Sequence, residues 1–376
     1  MRVSIIVNNF NYARFLGAAI DSALGQSHAD TEVVVVDDGS TDASRDVISG
    51  YGDRVTPVLK QNGGQASAFN AGFGAAVGNL VIFLDADDVL YPTAAASAAD
   101  LLEDDGVAKV HWPLDVIDES GQRTGEVVPR HALPHGDCKH TVIEGGPSSC
   151  PGSPTSGNAW TRAFLKRVLP MPEGSSYYRL GGDEYLSNLA PAFGELRTIA
   201  APQGCYRLHG HNRYSGKTFE EKLRFELSGF DEQCAVMARC FRGLGYDVDV
   251  ERWREQSWFH RLDRSITEIA AAIPDGSPLV LIDDQTWGAS SLAGHPCIPF
   301  LERDGQSWGA PTNDASAIDE LRRLRRQRDV DFVAIAWPAF WWTTFYPAFH
   351  HHLRSHATGV LENDRMILFD LRPERT

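Results

Sequence analysis

The run Phe83-Leu84-Asp85-Ala86-Asp87-Asp88 brings an apolar stretch to an end in three closely spaced carboxylates. Carboxylates one residue apart at a strand tip can share a hard divalent cation with phosphate oxygens. Mg2+ and Mn2+ favour oxygen ligands and keep positions open for substrate phosphates. Three neighbouring acids also repel one another, and a bound cation relieves that repulsion. An acidic turn closing a strand would use the same residues, so the D-x-D pair acquires meaning only from its surroundings.

The elements around it alternate short β-branched runs with helix-like stretches, as a parallel sheet with crossover helices requires. Val3 to Val7, Glu32 to Val36 and Leu80 to Leu84 read as strands, and their unbroken apolar character implies that helices cover both faces. Each ends in polar residues: Asn8-Asn9-Phe10-Asn11, Asp37-Asp38-Gly39-Ser40 and Asp85-Ala86-Asp87-Asp88. Open α/β sheets bind ligands outside the carboxyl ends of their strands. From about 111 to 160 the chain reads as irregular, an acceptor-side surface or a lid. Helical pattern returns over Thr161 to Leu169, Asp183 to Leu189, Phe219 to Gly243 and about Val250 to Ala272. The last hundred residues read as a small α/β unit, with strands at Leu279 to Ile282, Phe332 to Ala336 and Met366 to Leu371. The expected organisation is a domain over 1–218, a helical connector over 219–273 and a C-terminal α/β domain over 274–376.

Four ordered segments, S-I-I-V-N-N-F-N-Y-A-R-F-L, V-V-V-V-D-D-G-S-T-D, Q-N-G-G-Q-A-S-A-F-N-A-G and F-L-D-A-D-D, closely resemble the nucleotide-binding half of family 2 glycosyltransferases, over about residues 1 to 110. The resemblance implies an α/β fold of the GT-A type, Rossmann-like, as in nucleotide-diphospho-sugar transferases. It implies that Asn8, Asn9 and Asn11 line the nucleobase and ribose pocket, and that Asp37 and Asp38 accept hydrogen bonds from uracil or ribose. Asn62, Gly64 and Gln65, with Gly63, form a turn where backbone approaches the nucleotide, and Asn70 belongs to the same site. Asp87 is the foremost metal ligand, while Asp85 binds ribose or a bridging water or joins the metal, which would be Mn2+ or Mg2+. Many relatives carry Arg before the Asn-x-Gly; here Phe69 precedes Asn70, which puts one phosphate or nucleobase contact in doubt.

Gly181-Gly182-Asp183-Glu184-Tyr185-Leu186, after Thr155 to Trp160, resembles the acceptor side of the same family, where an acid heads a helix. A sugar alcohol is a poor nucleophile until its proton is being removed. The resemblance puts that base on Asp183, with Glu184 the alternative; an acid complementing the helix dipole would look the same. Tyr206 to Asn212 also resembles a family segment, in which His209, and after it His211, could ligate the metal or contact the leaving diphosphate. His350, His351 and His352 occupy consecutive positions that point in different directions and cannot chelate one ion.

The implied reaction moves a sugar from a nucleoside-diphosphate sugar, a UDP-sugar foremost, to the hydroxyl of a glycan, lipid-linked or other acceptor, with inversion. Cell-surface polysaccharide or glycolipid synthesis is the expected setting. The alternatives are a non-catalytic sugar-nucleotide-binding scaffold and a nucleotidyltransferase; the latter would show a Gly-rich basic loop where this chain has Asn-Asn-Phe-Asn. With 35 basic and 50 acidic residues, the net charge of −15 argues against nucleic-acid partners and broad adhesion to anionic lipid. The first apolar run is too short for a signal-peptide core, and six cysteines without a C-x-x-C pair read as reduced thiols. A cytoplasmic protein is expected, with peripheral attachment at the inner face of the membrane left open. In the C-terminal unit, Trp337 to Pro347 is the densest aromatic cluster, and Asp283 and Asp284 form a second-site candidate at a strand end. The basic run Arg322 to Arg328 reads as a solvated helix face.

Overall fold

A computed structural model describes residues 1–102, 106–210 and 218–372. The chain divides into two compact units, one of Met1–Lys217 with Ser228–Trp253 and one of Thr218–Leu227 with Arg254–Thr376.

In the first unit, β1 (Val3–Asn9), α1 (Ala13–Leu24), β2 (Thr31–Asp37), α2 (Ser44–Ser49), β3 (Thr56–Leu59), α3 (Gln65–Ala75) and β4 (Leu80–Asp85) build the parallel half of a seven-stranded sheet. Then follow β5 (Val89–Leu90), α4 (Ala94–Ala99), β6 (Val107–His111), β7 (Leu114–Ile117), β8 (Arg123–Val128), α5 (Lys139–Gly145), β9 (Asn158–Thr161), α6 (Arg162–Val168), α7 (Gly182–Leu189), β10 (Glu195–Thr198) and β11 (Gly204–Arg207). The sheet order is β10-β6-β9-β4-β1-β2-β3, and a second sheet runs β5-β11-β7-β8. From β1 the chain winds outward through β2 and β3, then returns to place β4 on the other side of β1. That reversal opens a crevice at the carboxyl ends of β1 and β4.

Local sequence explains the layers. In α1, Phe15, Leu16, Ala19, Ile20 and Ala23 recur at helical spacing and are the residues it buries. Val3, Ile5 and Val7 of β1 face one helical layer, Ile6 faces the other, and all four are fully buried, as a strand covered on both faces demands. The helix α3 approaches β1 closely through Gly72, where a Cβ atom would lie 2.4 Å from Ile6 Cγ2.

The stretch from 111 to 160 is more ordered than its composition suggested. It contains β7, β8, α5 and β9. Their apolar residues are few because β8 is largely exposed and the others are short, so no periodicity builds up along the sequence.

Helices α8 (Phe219–Gly243), α9 (Val250–Gln256) and α10 (Trp258–Ala272) follow. The pattern expected as one helix over Val250 to Ala272 breaks at Ser257, whose hydroxyl caps α10 at the His260 N–H. The second unit then carries β12 (Leu279–Ile282), β13 (Ser291–Leu292), β14 (His295–Pro299), β15 (Glu302–Arg303), β16 (Gln306–Ser307), α11 (Asp314–Arg328), β17 (Phe332–Ala336), α12 (Trp342–Phe345), α13 (Pro347–His356), β18 (Thr358–Glu362) and β19 (Met366–Asp370). Its main sheet has the order β13-β14-β12-β17-β19-β18. Among the described residues no helix is long and apolar enough to cross a membrane. None of the six cysteines forms a disulfide.

Candidate active site

A cavity of about 710 Å³ occupies the crevice of the first unit. Of the residues singled out in the sequence, Asn8, Asn9, Asn11, Asp38, Asn62, Gly64, Gln65, Asp85 and Asp87 line it. Asp37 and Asn70 do not. The Asp37 carboxylate is fully buried and receives Asn9 Nδ2 (3.1 Å), Ser40 N (3.2 Å) and Arg45 Nε (2.9 Å). Those bonds hold its charge below the ordinary carboxylate range despite its burial. Asn70 instead bonds the Met171 backbone and Glu173. Phe69, at the position where many relatives carry Arg, is a core residue stacked on Phe83 with ring centres 4.0 Å apart.

The first loop presents polar atoms to the cavity. Asn11 has a left-handed φ of 61°, a conformation Asn tolerates, and its side-chain oxygen accepts the Thr41 N–H at 2.8 Å. The buried Oδ1 atoms of Asn8 and Asn9 have no partner among the described residues, and buried acceptors without partners call for a ligand or water. Asp38 shapes the opposite wall: it accepts the backbone N–H groups of Gly63 (2.9 Å) and Gly64 (2.7 Å) and pairs with Lys60 at 2.5 Å. Gly64 needs its freedom, since φ is 85° and a Cβ would meet Arg179 Cα at 2.8 Å.

At the tip of β4 the three acids separate. Asp88 is buried and structural: it accepts Ser156 Oγ (2.7 Å) and the Arg207 N–H (2.9 Å). Asp87 faces the cavity and lies 2.8 Å from His209 Nε2. The His209 ring is buried against Tyr12 and Phe15, with centroids at 5.4 and 5.5 Å. His211 lies outside the described residues. Burial, then the charges of Asp87 and Asp183, push the Asp85 carboxyl well above its ordinary range. Burial, then the charges of Asp87 and Asp85, raise Asp88 too.

This crowding tests the fit of a divalent cation. Among the described residues no three His, Cys, Asp or Glu side chains form a ready metal cage. The Asp87–His209 contact with Asp85 nearby instead suits a cation bound by few protein groups and completed by phosphate oxygens and water. The surplus negative charge is what such an ion would neutralise.

The base candidates sit on α7. Gln65 ties this helix to the crevice cavity: its Oε1 accepts the Gly182 N–H (2.8 Å) and its Nε2 donates to Thr155 Oγ1 (3.3 Å), while the polar groups of Gln65 and Thr155 partly offset the rise at Asp85. Asp183 and Glu184 line a second cavity of about 360 Å³, walled by Ser148, residues 150–154, Val128 and Pro129. Glu184 is held by the Tyr177 hydroxyl and by Gln233 Nε2, at 3.0 Å from the latter.

Three cations were not anticipated from sequence. Arg14 and Arg179 line the crevice cavity, Arg179 donating to Asn62 Oδ1 at 2.6 Å. Lys109 lies buried beside the second cavity, with Nζ 3.2 Å from Ser187 Oγ and a Cβ on Gly152 only 2.7 Å away. Burial pulls this amine down to about 8. Arg14 stands within the first quoted motif and could have been noted; lone cations such as Lys109 and Arg179 carry no sequence signal.

The family model described as glycosyl transferase family 2 matches residues 4–141. An uncharacterised glycosyltransferase of Nostoc sp. is 37% identical over 281 residues, spanning 72% of this chain and 86% of that protein. The chondroitin synthase of Pasteurella multocida is 43% identical over 95 residues, 24% of this chain and 10% of that enzyme. Among solved structures, the mannosyltransferase PcManGT of Pyrobaculum calidifontis, in complex with GDP-Man and Mn2+, is similar with a TM-score of 0.47 at 18% identity, covering 73% of this chain and 76% of that one. Residues 1-349 of TarS from S. aureus, in complex with UDP-GlcNAc, give a TM-score of 0.45 at 17% identity, covering 71% and 83%. The fold is α/β, a GT-A domain followed by helices and a further α/β unit. The length of the match to the Nostoc protein, together with the ordered motifs at the strand ends, makes this chain a member of glycosyltransferase family 2.

Proposed function

We propose that the first unit transfers a sugar from a nucleoside-diphosphate sugar, a UDP-sugar foremost, to an acceptor hydroxyl in a single inverting displacement. Polysaccharide or glycolipid assembly at the cell surface is the setting that suits a glycan or lipid-linked acceptor. The observation that carries the reading is the cavity at the β1/β4 crevice, which Asp85 and Asp87 line together with Asn8 and Asn9.

Each residue has a task within its chemistry. Asn8 and Asn9 accept donors from the nucleobase and ribose, while Arg14 and Arg179 bring positive charge to the diphosphate. Asp87, Asp85 and His209 would hold Mn2+ or Mg2+; when bound, such an ion stabilises charge on a departing diphosphate. Asp183 takes the acceptor proton as the acceptor oxygen bonds the anomeric carbon and the bond to the diphosphate oxygen breaks. Asp183 suits this role better than Glu184, because it acts electrostatically on Asp85 while Glu184 is bonded to Tyr177 and Gln233. Attack on the face opposite the leaving group inverts the anomeric centre.

Proton NMR of the sugar released during slow donor hydrolysis tests the stereochemistry. From an α-linked donor the first product is expected to be the β-anomer, before mutarotation. Initial formation of the α-anomer would rule out the single displacement.

A further inference from the structure

The second unit has its own chain reversal at strand carboxyl ends. From β12 the chain steps to the parallel β14 on one side, then returns through α11 to the parallel β17 on the other. A crevice opens beside such a strand, and the residues there exceed what a simple turn needs. After β12, Asp284 and Gln285 both adopt left-handed backbone, with φ of 52° and 59°. Adjacent non-glycine residues in this region are uncommon, and such strain collects at functional sites. Asp283 is buried and accepts the N–H groups of Gln285 (3.0 Å) and Trp287 (2.9 Å).

Aromatic residues following β17 meet this loop. Asp284 accepts the indole N–H groups of Trp341 (2.5 Å) and Trp342 (3.1 Å). Trp287 packs on Trp337 with ring centres 5.2 Å apart; it is 4% exposed, yet its Nε1 has no hydrogen-bond partner among the described residues. A buried donor without an acceptor points to a missing ligand or water. Trp341 is 42% exposed and Phe345 65% exposed, although Trp341 is anchored through Asp284.

We propose that this crevice binds a sugar residue of a glycan chain. A sugar ring offers apolar C–H faces that lie on aromatic rings such as Trp341 and Phe345, and a rim of hydroxyls that suits carboxylates. A tryptophan already fixed by a hydrogen bond loses little freedom when the sugar arrives. Charge disfavours a membrane: the aromatic residues surround Asp283 and Asp284, and the chain carries −15 overall, whereas anionic headgroups attract basic segments. The inference draws only its choice of ligand class from the transfer reading, so its test contains no nucleotide.

Full-length protein is titrated with cellotetraose, chitotetraose and a hyaluronan octasaccharide, followed by tryptophan fluorescence and calorimetry. At least one saccharide is expected to bind saturably, with Trp341→Ala weakening it about tenfold and leaving donor hydrolysis by the first unit unchanged. Phe345→Ala, which removes a largely exposed ring, serves as the second variant should Trp341→Ala fail to fold. The proposal is overturned if no saccharide of the panel binds, or if the folded variants bind as the wild type does. Capture of the wild type, but not of Trp341→Ala, by phosphatidylglycerol vesicles would also overturn it, in favour of a membrane surface. Donor hydrolysis without saccharide binding defeats this inference alone; saccharide binding without donor hydrolysis defeats the transfer reading alone.

Discussion

Glu184 is tied to Tyr177 and Gln233, whereas Asp183 lines the same second cavity and acts on Asp85 through its charge. Adjacent acids on one helix therefore predict different mutant behaviour. Asp183→Asn should lower nucleoside diphosphate release by about 10²–10⁴-fold with the fold intact. Glu184→Gln should act mainly on thermal stability, lowering the midpoint by a few degrees as bonds to a charged acceptor are weakened; calorimetry beside rate measurements separates the two. Gln65→Ala should lower the rate and weaken nucleotide binding together, because one side chain lines the cavity and also bonds Thr155 and the start of α7. The motif residues at strand tips were legible because β-branched runs ending in Asn and Asp announce themselves. The separate uses of Asp37 and Asp38 were not, since they depend on Arg45, Lys60 and the glycine N–H groups folding back to them.

At the level of elements, β1, β2 and β4 could be read directly, because continuous burial leaves an unbroken apolar run. By contrast, the order within 111–160 was hidden by short, half-exposed strands. The basic helix α11 shows another limit of pattern reading. Arg323 and Arg328 do not simply face solvent but pair with the buried Glu302 at 2.6 and 2.7 Å, and Arg323 also pairs with Glu320. These partners pull Glu302 from 4.5 down to about 2. A carboxylate depressed in the folded state stabilises it above the unfolded value and loses that contribution as pH falls through the folded one. Urea unfolding should thus show stability draining away between about pH 4.5 and 2, and Glu302→Gln should flatten this part of the profile. The packing of α3 on β1 gives a sharper test. Gly72→Ala would press a methyl group on Ile6 Cγ2, with an expected cost of about 1–3 kcal/mol in chemical denaturation.

Across the whole molecule, the proposed reaction asks a chain of net charge −15 to attract an anionic nucleotide sugar. Positive charge would then have to be local, and Arg14 and Arg179 in the cavity, with a metal ion held at the tip of β4, would supply it. That requirement makes metal-dependent donor cleavage the central claim. The direct measurement is nucleoside diphosphate release from a panel of UDP-, GDP- and dTDP-sugars with Mn2+, with wild-type protein beside Asp87→Ala. Release from one donor that is abolished by chelation and falls by about 10² or more in the variant is the predicted result. Absence of release from every donor, together with calorimetry showing no metal-dependent nucleotide binding, would contradict the account.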